Sequence, residues 1–293
     1  MSFVVRDDSL RTGLIGANIQ RSRSPAIHTT EARCLGLNLR YELLDLDETE
    51  GGIASLSSVL EAVKMCGFLG VNVTFPAKQA IIPLLDELSD DAAVLGACNT
   101  VALHGGRAVG HNTDWRGFSE SFRRSLPDAR FDRVILLGAG GGASAVAYAL
   151  IKMGAHRIAV HARRREQAEA FADRFNKRIG GSRVIAAKKL EDEVDNSDGI
   201  VNCTPVGMTG YTGEPFPEHL LKPDLWVSDL VYVPLRTRLL RAASMRGCKT
   251  LEGGGMVVFQ AAEAFRIFTG IEPDKERMLV SFEDDVSGER SGL

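Results

Sequence analysis

Between Val134 and Ala145 the sequence reads VILLGAGGGASA: an apolar run, the turn Gly138-Ala139-Gly140-Gly141-Gly142, and the start of a helical pattern. Glycines at such a turn let backbone N–H groups close on a pyrophosphate, whose charge then sits at the positive end of the helix. Glycines also serve ordinary tight turns, so the surroundings decide. Here a strand-like run precedes the turn, a helix follows, and a second strand-like run, Arg157–His161, ends about 20 residues further on, as a dinucleotide fingerprint requires. The tip of that second run selects the cofactor: an acid there holds a ribose hydroxyl of NAD, whereas arginine accommodates the 2′-phosphate of NADP. The residues are Ala162, Arg163 and Arg164, followed by Arg165, with no acid at the tip. Arginine makes bidentate, charge-assisted bonds to phosphate, so NADP is the expected cofactor. NAD is the alternative if these arginines only begin a solvated helix.

Four further segments are more polar than packing alone requires: Ser22-Arg23-Ser24-Pro25, GVNVTFPAK ending at Lys78, GACNT ending at Thr100, and GHNTD ending at Asp114. Each also has a plain structural reading. Ser24 can cap a helix that has Pro25 at its first position. A helix N-terminus is also a good carboxylate site, so for this segment both readings stand. Thr74 and Asp114 can be caps, Lys78 an exposed first-turn lysine, and Asn99 a turn residue.

Together with the glycine turn, NCTPVGM (Asn202 to Met208), DLVY (Asp229 to Tyr232) and the stretch from Gly255 to Gln260, these segments resemble the shikimate dehydrogenase family. Order and approximate spacing match from Gly13 to Gly270, nearly the whole chain. The resemblance implies reversible hydride transfer between a nicotinamide cofactor and the C3 carbon of shikimate, with 3-dehydroshikimate reduced in the biosynthetic direction. It implies that Ser22 and Ser24 bind the substrate carboxylate and that Lys78 and Asp114 form the catalytic pair. By the same matching, Asn72, Thr74, Asn99, Tyr232 and Gln260 line the substrate pocket. The cofactor would be held by Gly138 to Gly142, Ala162, Arg163, Arg164 and Thr204, with Leu230, Gly253 and Met256 near the nicotinamide end. No metal ligand is implied.

Those residue types suit the chemistry. A polyhydroxylated carboxylate needs hydroxyl and amide groups around it, and hydride loss from a carbinol leaves a proton for an acid–base group to remove. Burial lowers a lysine's pKa and a neighbouring aspartate raises it again. Two departures from the family pattern stand out. Arg21 replaces the usual histidine before the first serine, so Arg21 and Arg23 add two cations to the carboxylate segment. The frequent Asn-Arg-Thr of NADP enzymes is Ala162-Arg163-Arg164. The wording near Leu84 and Ala261 also resembles the quinate/shikimate branch, which leaves an NAD-dependent quinate enzyme as the enzymatic alternative. A non-catalytic ligand-binding sensor is the alternative from another class; retention of both Lys78 and Asp114 argues against it.

The elements that must position these residues alternate between strand and helix. Strand-like runs lie at Gly13–Gly16, Tyr41–Leu46, Phe68–Val73, Val134–Leu137, Ile158–Val160, Gly199–Cys203 and Leu225–Val231, with helical patterns such as Ala143–Met153, Glu166–Arg178 and Thr237–Met245 between them. Alternation of this kind implies α/β architecture with parallel sheets. Residues 99–112 read as a hairpin about Gly105-Gly106. The expected plan is an N-terminal α/β substrate domain over 1–112 and a Rossmann-type dinucleotide-binding domain over 113–251, with a cleft between them. C-terminal helices over 252–293 then return to the first domain, their core face carrying Val257, Ala261, Ala264, Phe265 and Phe268. The tail from Ser281 is expected to be loose.

A chain of 293 residues is long enough for two domains at about 100–200 residues each. Its net charge of -3 gives no basic face for nucleic acid, and no run approaches the ~18 apolar residues of a membrane span. The start, MSFVVRDDSLR, carries two acids and no long apolar region, unlike a secretory leader. The five cysteines form no CxxC pair, so free buried thiols are expected rather than disulfides or zinc. These features point to a cytoplasmic protein with neither nucleic acid nor membrane as partner; the resemblance implies a small-molecule substrate, and a monomer or homodimer is expected.

Overall fold

The computed structural model describes residues 9–288; the first eight residues of MSFVVRDDSLR lie outside the described residues. The chain divides into two compact units, one of Met1–Thr113 with Ala261–Leu293 and one of Asp114–Gln260. The first unit begins with β1 (Leu10–Gly16), α1 (Ser24–Cys34), β2 (Leu39–Asp45), α2 (Leu56–Met65), β3 (Gly70–Val73), α3 (Ala77–Ala80), β4 (Glu87–Leu88), α4 (Asp90–Leu95), β5 (Thr100–His104) and β6 (Arg107–His111). Its strands lie in the order β2-β1-β3-β5-β6-β4. This sheet is mixed: β5 and β6 form the expected hairpin about Gly105-Gly106, and β5 also runs antiparallel to β3. A two-glycine connection between β5 and β6 is too short for a parallel crossover and can only make a hairpin. Ile15, Leu60, Phe68, Val71, Val73 and Val101 form the apolar cluster beneath this sheet.

The second unit opens with α5 (Asp114–Ser125) and continues through β7 (Arg133–Leu137), α6 (Gly141–Met153), β8 (Arg157–His161), α7 (Arg165–Ile179), β9 (Val184–Ala186), α8 (Leu190–Val194), β10 (Gly199–Asn202), β11 (Trp226–Asp229), α9 (Arg238–Met245) and β12 (Lys249–Leu251). All six strands are parallel, in the order β12-β11-β10-β7-β8-β9. In chain order that is 3-2-1-4-5-6, the doubly wound dinucleotide-binding arrangement, with its switch point between β7 and β10. Val134, Ile135, Leu136 and Leu137 are all buried, the continuous apolar run of a central strand covered on both faces.

The chain then runs through α10 (Gly254–Thr269) into α11 (Lys275–Gly288). The division between units falls inside α10, at Gln260/Ala261, rather than at 251/252. Gly253, Gly254 and Gly255 look like a linker, yet a Cβ on Gly253 would lie 2.6 Å from the Leu230 carbonyl oxygen and one on Gly255 would lie 2.3 Å from Ser121 Oγ. Lack of space, not flexibility, fixes glycine there. Val257 is only half-buried, and Val258 takes its place on the core face. The expectation of a loose tail is corrected as far as Gly288. Met278, Phe282 and Val286 recur at four-residue spacing and are buried, and Arg277 pairs with the buried Glu31 of α1. Two thiols also differ from expectation: Cys34 and Cys66 are exposed, because they lie at the ends of α1 and α2.

His28 on α1 is wholly buried, with neither ring nitrogen hydrogen-bonded. Its ring centroid lies 4.8 Å from that of Tyr41 and 6.1 Å from those of Phe265 and Phe268. Burial lowers its pKa from 6.5 to about 3. The unfolded chain therefore binds a proton at His28 throughout that window and the folded chain does not, so stability is lost as pH falls from 6.5 toward 3. Urea unfolding at neutral pH and at pH ~4.5 is expected to show the native chain losing about 2 kcal/mol more than a His28→Phe variant. Equal losses would contradict this.

Candidate active site

In the first unit, the loop after β1 carries the two serines. Ser22 Oγ accepts the Ser24 N–H at 3.2 Å. Ser24 is not the cap it resembles: it is the first residue of α1, Arg23 occupies the cap position, and no side chain caps the helix. Ser22 competes for the role by folding the loop on itself. Arg23, one of the two added cations, pairs with Asp285 of α11 at 2.9 Å, so its charge is directed to the C-terminal helix. Arg21 remains exposed.

Asp45, at the end of β2, anchors the start of this loop. Its carboxylate accepts the N–H groups of Asn18 and Ile19 at 3.0 Å, that of Asp47 at 3.1 Å and the Gln20 amide at 3.3 Å. Burial alone would raise its pKa, but these donors outweigh burial and hold the carboxyl below its usual range.

The Ser24 side chain hydrogen-bonds the Tyr41 phenol, whose pKa burial pushes up. The Tyr41 hydroxyl donates to Asn72 Oδ1 at 2.8 Å. Asn72 Nδ2 donates to Thr100 Oγ1 at 3.2 Å, and Thr100 Oγ1 donates to Asn99 Oδ1 at 3.1 Å. Asn99 Oδ1 also accepts the Thr113 N–H at 2.7 Å, while Asn99 Nδ2 donates to Thr113 Oγ1 at 3.0 Å. Four side chains, those of Tyr41, Asn72, Thr100 and Asn99, thus link Ser24 to Thr113, the residue preceding Asp114. Asn72, Asn99, Thr100 and Thr113 are all buried, and each is satisfied within the chain of bonds.

Thr74 follows β3 directly, and Lys78 lies in the short helix α3. The Thr74 carbonyl accepts the Ala77 N–H at 2.8 Å, and the Lys78 carbonyl accepts the Cys98 N–H at 2.8 Å. Pro76 holds the cap position of α3 without a side-chain cap bond, so Thr74 acts through its backbone. Ala77 and Ile81 are fully buried, whereas Lys78 itself is half-buried. The lysine is therefore carried on a fixed backbone with its side chain outside the core.

In the second unit, Gly138 adopts φ 101°, and a Cβ there would lie 2.9 Å from Thr204 Cγ2. Its N–H donates to the His161 carbonyl at 2.7 Å, bringing the turn beside the tip of β8. A Cβ on Gly140 or Gly141 would meet nothing within 4 Å, and α6 begins with neither a side-chain cap nor an acid in its first turn. An open cradle facing uncapped helix N–H groups fits a pyrophosphate. Ala162 is half-buried, and Arg163 and Arg164 are exposed without an ion pair among the described residues, whereas Arg165 is bound to Glu169 at 2.7 Å. Two guanidinium groups at the tip fit a 2′-phosphate.

The ends of β10 and β11 are joined by Asn202 and Asp229. Asn202 Nδ2 donates to Asp229 Oδ1 at 2.8 Å, and Asn202 Oδ1 accepts the Thr204 hydroxyl at 2.7 Å. Asp229 also accepts the Val231 N–H at 3.1 Å and the hydroxyl of Thr237, the cap of α9, at 2.7 Å. Burial raises its pKa from 3.8 to about 6, against the pull of those bonds. Leu230 Cδ1 would lie 3.1 Å from a Cβ on Gly142, and its carbonyl oxygen 2.6 Å from one on Gly253, so these three residues meet. A Cβ on Gly117 of α5 would lie 2.5 Å from the Met256 carbonyl oxygen and 2.8 Å from Gln260 N, which fixes the path of α10 past α5. Tyr232 and Gln260 are half-buried.

Sequence reasoning missed Tyr41, Asp45 and Thr100 as members of this site, and it gave Asn202 and Asp229 no role. Tyr41 and Asp45 lie in a plain strand pattern, and their partners are distant in sequence.

Three family models match the chain: the shikimate dehydrogenase substrate binding domain over residues 14–101, shikimate / quinate 5-dehydrogenase over 120–208, and the shikimate 5'-dehydrogenase C-terminal domain over 253–279. The chain is 49% identical over 274 residues to a shikimate dehydrogenase (NADP(+)) of Streptomyces avermitilis, covering 93% of this chain and 94% of the relative. It is 44% identical to a quinate/shikimate dehydrogenase (NAD(+)) of Corynebacterium efficiens, covering 94% of this chain and 98% of the relative. Among solved structures, quinate dehydrogenase from Corynebacterium glutamicum in complex with NAD matches with a TM-score of 0.90 at 42% identity, over 94% of this chain and 99% of that one. The Thermus thermophilus shikimate 5-dehydrogenase in complex with NADP(H) and shikimate matches at 0.83 and 35% identity, over 94% and 98%.

Proposed function

The chain belongs to the shikimate dehydrogenase family, and we propose that it catalyses the reversible, NADP-dependent reduction of 3-dehydroshikimate to shikimate, a step of aromatic amino acid biosynthesis. It is an oxidoreductase of the α/β class with a Rossmann-type nucleotide domain. The observation that carries the reading is the chain of hydroxyls and amides from Ser24 to Thr113, flanked by Lys78 in the first unit and followed directly by Asp114.

In this reading Ser22 and Ser24 hold the substrate carboxylate, and Asn72, Thr74, Asn99, Tyr232 and Gln260 bind the ring hydroxyls. Gly138, Ala139, Gly140, Gly141 and Gly142 receive the pyrophosphate. Ala162 leaves room at the β8 tip, where Arg163 and Arg164 take the 2′-phosphate. Thr204, Leu230, Gly253 and Met256 border the nicotinamide end. When bound, the cofactor supplies or accepts the hydride. Lys78 donates a proton to the carbonyl oxygen during reduction and withdraws it during oxidation. Asp114 is the second member of the proposed catalytic pair.

The substrate is a small carboxylate, and the protein works in the cytoplasm as a monomer or homodimer, without a nucleic-acid or membrane partner. Among the described residues no helix is long and apolar enough to cross a membrane. Quinate with NAD is the second pairing to examine, because relatives of similar identity carry that name. The missing acid at Ala162 weighs against NAD.

Initial rates on shikimate and quinate, each with NAD and NADP, test the proposal. Preference for shikimate with NADP is the expected result. Efficient quinate oxidation with NAD would transfer the chain to the catabolic reading, and ligand binding without turnover in any pairing would make it a sensor.

A further inference from the structure

Tyr41 lies in β2 and is half-buried. Its surroundings assign it a role. The ring is held against His28, itself enclosed by Phe265 and Phe268, so the phenol has little freedom to swing. The hydroxyl bridges two segments, Ser24 at the start of α1 and Asn72 in β3. On the proposed function these two side chains grip opposite parts of the substrate, the carboxylate and a ring hydroxyl.

The bridge also fixes how Asn72 presents itself. A side-chain amide can lie either way round, and its hydrogen-bond partners decide. With Tyr41 donating to Oδ1, the amide nitrogen faces Thr100 and the Asn99 carbonyl, at 3.2 Å and 3.4 Å. His28 strengthens the arrangement by what it lacks. A side chain with a polar edge aimed at Tyr41 would compete for the phenol, whereas the ring stands against it with no hydrogen bond from either nitrogen.

We propose that Tyr41 is a positioning residue for the substrate, acting through Ser24 and Asn72 to set the separation and orientation of the carboxylate and ring-hydroxyl contacts. This inference rests on the proposed function. It assigns Tyr41 no contact with the reacting atoms and no part in proton transfer.

The test is a double-mutant cycle of Tyr41→Phe and Asn72→Ala, read as KM for shikimate, KM for NADP and kcat, with thermal unfolding of each variant. Tyr41→Phe keeps the ring and removes only the bridge. It is expected to raise KM for shikimate about tenfold, the usual consequence of leaving buried partners unsatisfied, with kcat and KM for NADP within about threefold. Because the two residues act through one bond, their effects on KM are expected to be less than multiplicative in the double variant. A purely structural role would lower the unfolding midpoint and leave KM for shikimate unchanged. That result, or effects that multiply in full, would overturn the inference. If Ser24→Ala and Asn72→Ala also leave KM for shikimate unchanged, the substrate-site reading fails with it; if they raise KM and Tyr41→Phe does not, only the role of Tyr41 fails.

Discussion

Replacing Lys78 with alanine is expected to lower turnover by about 10²–10⁴-fold, the usual contribution of a positioned acid–base group. The backbone bonds of Lys78 are ones that alanine retains, and the buried anchors of α3 are its neighbours Ala77 and Ile81, so the variant is expected to fold. KM for shikimate should change far less than kcat, because the loss is felt when the proton moves and much less when the substrate binds. Lys78→Arg is the informative companion. It keeps the positive charge but does not give up its proton near neutral pH, so it is expected to bind substrate and still turn over slowly. Turnover of Lys78→Ala within about threefold of the native rate would remove lysine from the proton path, since no lost acid–base contribution is that small.

The second large effect concerns the cofactor. A combined Arg163→Ala, Arg164→Ala variant is expected to raise KM for NADP about 100-fold and leave KM for NAD nearly unchanged. Charge-assisted bonds to a phosphate contribute about 1.5–3 kcal/mol, and only NADP carries the 2′-phosphate that would receive them. Arg165 does not substitute for them, because it is held by Glu169 one turn along α7. Arg164 caps α7 and Arg163 precedes it, where cations oppose the helix dipole by about 0.3–1 kcal/mol each. The variant is thus expected to be at least as stable as the native chain. Weak NADP binding cannot then be blamed on a damaged fold. An equal rise in KM for both cofactors, or no rise in either, would show that the arginines are only a solvated helix start.

Much of this architecture is legible in the sequence because its determinants are local. The buried run Val134 to Leu137, the glycine turn and the helix after it are contiguous, and a parallel central strand leaves no alternation to misread. The hairpin about Gly105-Gly106 is equally local. What escapes a linear reading is set by contacts across the fold. Tyr41 finds Asn72 across 31 positions and Asp45 finds Ile19 across 26, and neither partner leaves a mark in the neighbouring residues. Gly253 and Gly255 carry no local reason in the sequence, and the nearness of Leu230 and Ser121 explains them. Ser24 looks like a cap because Pro25 follows it, yet Ser22 takes up its N–H. The helix over Lys275–Gly288 hides behind an acidic, glycine-ending tail, and its reason is Arg277 meeting Glu31 on α1, 246 positions away.

Hydride transfer to a ring carbonyl is the central claim, and isotope transfer tests it most directly. The purified protein would be incubated with 3-dehydroshikimate and NADPH carrying deuterium at both hydrogen positions of the reactive nicotinamide carbon, and the product examined by NMR and mass spectrometry. The expected product is shikimate with one deuterium at C3, formed as the reduced cofactor is consumed. Shikimate without the label, or unchanged 3-dehydroshikimate beside intact cofactor, would contradict the reaction assigned to this site.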